Sequence, residues 1–127
     1  MTQEDKDLLL KDLCARLPYG VKVNEDIQGD FTLVGLTKER AFTTSEEEGY
    51  YNDFPIELVK PYLFPISSMT EEQRKEMSSF DPFKTDEVKT LGKWAVCLVN
   101  FYNKYHLDYN GLIPKGLALD ATGLNIY

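Results

Sequence analysis

Between residues 86 and 105, Val88, Leu91, Ala95, Leu98, Tyr102 and Tyr105 recur at three- and four-residue spacing, and Trp94, Cys97 and Phe101 widen the stripe. Thr85-Asp86 offers a helix cap just before it. An apolar face wider than about 100° has to be covered, so the spacing predicts a long C-terminal helix packed on a sheet or on another helix. Gly92 in its middle costs about 1 kcal/mol relative to Ala, which points to close packing there.

The other end of the chain carries a second helical pattern. Thr2 caps it, Glu4 and Asp5 suit the positive end of its dipole, and Leu9, Leu10, Leu13, Cys14 and Leu17 mark one face. Pro18-Tyr19-Gly20 ends it. From Val21 the period changes to two, predicting strands over 21–24 and 31–36 joined as a hairpin through the turn-forming 24–30 stretch. A third strand follows over 40–44, and Tyr50 to Phe54 lead into a fourth. Pro55, Pro61 and Pro65 mark 55–65 as a linking segment with anchoring side chains rather than a central strand. Thr70-Glu-Glu-Gln73 fits a capping box for a short polar surface helix over 71–79. The Gly- and Pro-interrupted residues 112–127 lack a helical period and read as an extended strap over the core.

The expected fold is therefore α+β: three or four short antiparallel strands, as a meander or small partly open barrel, packed with an N-terminal helix and a long C-terminal helix. With 127 residues, 43% hydrophobic and 13% aromatic, the chain has the size and core content of a single domain. Residues 1–66 supply a helix and strands; residues 67–127 supply the helical part and the strap.

Charge limits the partners. The net charge is −7, and residues 17–66 hold nine acids against four bases. No cluster of Lys and Arg stands out, because Arg74-Lys75 is flanked by Glu71, Glu72 and Glu76. Direct nucleic-acid binding and adhesion to an anionic membrane are disfavoured, since both need a basic patch. No stretch approaches the ~20 apolar residues of a membrane span, and Leu8-Leu9-Leu10 is too short for a signal peptide. A cytoplasmic location is expected. Cys14 and Cys97, each on an apolar helix face, read as buried reduced thiols.

Motifs with chemistry are sparse. The 24–29 stretch resembles the start of a calcium loop, but the twelfth position is Gly35 instead of a chelating Glu, so it reads as a hairpin turn. His106 is the only histidine. At the end of the main helix, an imidazolium would complement the negative dipole end, with Asp108 available to orient the ring. Phosphate loops, dinucleotide fingerprints, nucleophile elbows and zinc-protease motifs do not occur, and no catalytic, cofactor or metal residue is assigned. Glu46, Glu47 and Glu48, with Asp53, form a carboxylate-rich run that normally stays solvated. Tyr50, Tyr51, Phe54, Tyr62 and Phe64 either close the open side of the sheet or contribute to an interface, for which Tyr is well suited. The candidate interaction surface is Tyr50, Tyr51, Phe54, Glu46, Glu47 and Glu48.

Three stretches, 17–23, 59–72 and 108–119, resemble a group of small proteins of gut Bacteroides-type bacteria, often encoded in prophages and mobile elements. The resemblance implies a bacterial cytoplasmic setting and carries no activity. The leading expectation is a non-enzymatic module whose partner is another protein. The rivals are an acidic inhibitor that mimics nucleic acid towards a DNA-binding protein, and a hydrolase using Asp108, His106 and a carboxylate of the 46–53 loop. The oligomeric state has no signature in the sequence.

Overall fold

The computed structural model describes residues 1–45, 49–80 and 91–127. Helix α1 (Gln3–Arg16) starts as expected, with Thr2 Oγ1 accepting the Asp5 amide at 3.1 Å. It ends in a 3-10 turn over Leu17–Tyr19, and Gly20 then takes the left-handed conformation (φ 66°) that frees the chain to turn into the sheet. The strands are β1 (Lys22–Glu25), β2 (Gly29–Leu36), β3 (Arg40–Thr44), β4 (Tyr51–Pro55), β5 (Val59–Leu63) and β6 (Leu119–Asp120). Helices α2 (Glu71–Ser78) and α3 (Leu91–Lys104) lie between β5 and β6. The fold is α+β with an N-terminal helix, as the sequence predicts.

The sheet is larger than expected. Six strands run in the order β4-β3-β2-β1-β5-β6, antiparallel except for the β5–β6 pair. The miss lies in the proline-punctuated 55–65 segment, which holds β5. Pro61 stands opposite Val23 of β1, just ahead of Tyr62 and Leu63, the two residues that β6 covers. A strand flanked for only two residues on one side is a partial edge, where proline is tolerated. The 112–127 strap does pack on its own chain, but mostly as turns, with β6 as its only strand.

The long C-terminal helix is also corrected. The described helix begins at Leu91; the Thr85-Asp86 cap and Val88 lie outside the described residues. Its stripe does not cover the sheet. Only Phe101 and Asn103 are buried in α3, while Leu91, Val96 and Val99 are exposed. The sheet is filled from elsewhere: Leu9 and Leu13 of α1, with Leu112, Leu117 and Ala118 of the closing segment, meet Val21, Val23, Phe31, Leu33, Phe54 and Leu63. Phe101 instead joins Met69 and Leu107 in a separate cluster, flanked by Met77 and Phe80 beside α2. The capping box on α2 forms as predicted, Thr70 and Gln73 each bonding the other's backbone.

The covered face of α1 also differs from the predicted one. Leu9, Asp12, Leu13 and Arg16 are its buried residues. Cys14 is exposed and Cys97 half-buried, both as free thiols, so the expectation of two buried thiols fails.

Candidate functional site

The rings grouped by sequence separate in space according to strand alternation. In the β3–β4 ladder Thr44 pairs with Tyr51, Phe42 with Asp53 and Ala41 with Phe54. Facing pairs share one side of a sheet. Phe54 and Ala41 therefore turn inward, and Phe54 is buried with its ring 5.3 Å from Phe31. This corrects Phe54 as a surface residue. Tyr62 is buried too, its hydroxyl donating to Asp30 at 2.7 Å, and Phe64 lies 5.9 Å from the Tyr127 ring. These three rings belong to the structure.

Tyr50 and Tyr51 are different: they are 65% and 79% exposed. The Ser45 amide donates to the Tyr50 carbonyl at 3.1 Å, which closes the β3–β4 connection and fixes where both rings emerge. Phe42, which the sequence did not single out, lies diagonally beside Tyr51 on the outer face and is 40% exposed. The alternation Arg40, Phe42, Thr44 against Ala41 and Thr43 was visible, but the pattern alone does not say which set faces out. Arg40 and Asp53 form an ion pair across the two strands. That pairing also removes Asp53 from the free carboxylate run. Glu46, Glu47 and Glu48 lie outside the described residues.

The two residues that the rival hydrolase reading would pair have separate duties. Both Asp108 oxygens accept backbone amides, from Leu112 at 2.8 Å and Ile113 at 2.9 Å, so Asp108 fastens the following turn instead of orienting His106. His106 is buried, with left-handed backbone (φ 55°), and its carbonyl accepts the Phe64 amide at 2.8 Å. Burial, with the nearby Arg16 guanidinium, pushes its pKa from 6.5 down to about 4. The ring is therefore neutral at pH 7, and the expected imidazolium at the helix end is not formed.

Sequence reasoning also missed a buried charged knot. Arg16 and Asp12 are fully buried and paired through two bonds, of 2.8 and 3.1 Å. Arg16 Nη2 also donates to the Leu107 carbonyl at 2.6 Å, and Asn110 donates to Asp12 at 2.8 Å. The Tyr109 ring lies 5.1 Å from the guanidinium carbon. The i, i+4 spacing of 12 and 16 was the available signal, but charged residues are normally assigned to solvent. At the β1–β2 turn, Glu25 accepts the amides of Ile27 and Gln28, so the stretch resembling a calcium loop folds as a hairpin turn. No group of three or more metal-ligating side chains gathers among the described residues, and no described helix is long and apolar enough to cross a membrane.

An open groove of about 340 Å³ lies beside α3, lined by Tyr19, Phe80, Cys97 and Phe101, with Glu76 and Lys104 paired at 3.4 Å on its rim. No family model matches the chain, and comparison with curated proteins and with solved structures found no match either.

Proposed function

We propose that the chain is a non-enzymatic protein-interaction module, of the kind carried by a bacterial mobile element or prophage, that binds its protein partner through the outer face of the sheet at β3 and β4. The observation that carries this reading is the exposure of Tyr51 beside Phe42 on the outer sheet face, with Tyr50, also exposed, immediately before the strand. Large rings held in water on a fixed scaffold offer contact area at small entropic cost and retain a polar tip, the chemistry that interfaces favour. The one basic residue of these two strands, Arg40, is engaged by Asp53, so β3 and β4 offer no basic patch to a polyanion.

The test is capture by immobilised protein. Wild type recovers one specific protein, and a Tyr50→Ser/Tyr51→Ser variant with unchanged melting temperature loses at least about tenfold of it, since each central aromatic anchor contributes on the order of 1 kcal/mol or more. Val96→Ser on α3 is the control and retains the partner. Equal recovery by the tyrosine variant, or no protein above background, contradicts the reading.

A further inference from the structure

The closing residues of the chain meet the sheet where β1 and β5 part. Tyr127 Oη accepts the Lys22 amide at 2.9 Å and donates to the Tyr62 carbonyl at 2.7 Å. Lys22 and Tyr62 are the next positions of the ladder that pairs Val23 with Pro61, so the hydroxyl stands where a direct strand-to-strand bond would run. The Tyr127 ring lies on the His106 ring, with centroids 3.7 Å apart and planes 14° apart. Arg16 acts on both rings of the stack, and the other titratable and charged groups near it come from four segments. Asp12 and Arg16 come from α1, Asp108 and Tyr109 from the His106 segment, Lys22 from β1, and Tyr62, bonded to Asp30, from β5.

None of the nearby carboxylates stands ready for a protonated ring. Asp12 is held by Arg16 and Asn110, and Asp108 by two backbone amides. His106 Nδ1 is buried and has no hydrogen-bond partner among the described residues, and neither has Arg16 Nη1. A proton on the ring would be an unpaired buried charge beside a guanidinium. The tyrosine face would favour a cation, but burial and Arg16 outweigh it.

We propose that the segment ending in Tyr127 is an acid-released latch: it seats on the neutral His106 ring, and a proton on that ring expels Tyr127 and then β6 from the edge of β5. Outside this stack, Leu117, Ala118 and Ala121 anchor the segment in the core, and the pairing beyond them is short. β6 pairs over two residues, the Ala121 amide bonds the Leu63 carbonyl, and residues 122–125 are exposed. Release uncovers the β5 edge at Tyr62 and Leu63, a template for another strand.

Amide exchange followed by NMR, corrected for intrinsic rates, tests this. The Lys22 and Ala121 amides report the latch, and the Leu33 amide, bonded to the Val21 carbonyl, reports the core. If release restores the ordinary imidazole pKa, opening at Lys22 and Ala121 rises by about twentyfold between pH 7 and 5 while Leu33 stays protected. In His106→Gln that differential rise disappears. Loss of all three protections together, or a rise that persists in His106→Gln, overturns the proposal. Should His106→Gln fail to fold, Tyr127→Ser gives a second test. With the ring uncovered, the single histidine resonance titrates clearly above 4, with Arg16 still holding it below the ordinary value; titration still near 4 overturns the latch.

Discussion

Replacing Arg16 with Met should unfold the protein more readily than any single change on its surface. The guanidinium is fully buried, engages Asp12 through two bonds, and also donates to the Leu107 carbonyl. Methionine fills much of the volume but leaves the Asp12 carboxylate in a closed site with Asn110 as its remaining side-chain donor. Stranding one member of a buried pair costs about 3–5 kcal/mol. With a urea m-value of about 1.5 kcal/mol/M, the denaturation midpoint falls by about 2–3 M. The double variant Asp12→Leu/Arg16→Met removes both charges and should recover about 2 kcal/mol or more of that loss, because no unpaired charge remains. Urea denaturation of wild type, both single variants and the double variant completes the cycle. A loss below about 1 kcal/mol for Arg16→Met, or a double variant no more stable than the singles, would refute the knot as an organising feature of the fold.

Three further outcomes follow from the same contacts. Tyr127→Phe keeps the ring on His106 but strands the Lys22 amide and the Tyr62 carbonyl, and should cost about 1–3 kcal/mol in thermal or urea unfolding. Phe54→Ala opens the core and should cost about 3–5 kcal/mol, whereas Tyr51→Ala on the outer face should stay within about 0.5 kcal/mol; a calorimetric comparison separates them. The depressed pKa of His106 makes the unfolded chain bind the extra proton first. The stabilisation from keeping the ring neutral is complete above about 6.5 and falls away as pH drops towards about 4. The full difference is about 3 kcal/mol. Denaturation midpoints across that range check it, and a His106→Gln variant should show a shallower decline.

How far the sequence discloses this molecule depends on how strongly each segment obeys a single period. The β1–β2 hairpin, β3, the start of α1 and the α2 capping box could be read directly, because alternation and cap chemistry are local. β5 could not, because the constraint that makes Pro61 tolerable, a partner strand only two residues long, comes from β6 more than fifty residues later. The apolar stripe of α3 was read as buried since periodicity reports which residues share a face, and says nothing of whether that face is covered. The same limit divided the candidate surface: Tyr51 and Phe54 lie three apart in one strand, so they had to point to opposite faces, and only the ladder identifies which face is inside. Tyr127 gave no signal, because its role exists only where it meets His106, Lys22 and Tyr62.

The most direct measurement of the interaction account is site-specific photocrosslinking. With a benzophenone side chain at position 51, the account predicts one dominant crosslinked protein, absent when the same group stands at position 54 in the core or at position 96 on α3. A dominant product from position 96 with none from 51 would move the interface to α3, and no product from either would contradict the proposed binding face.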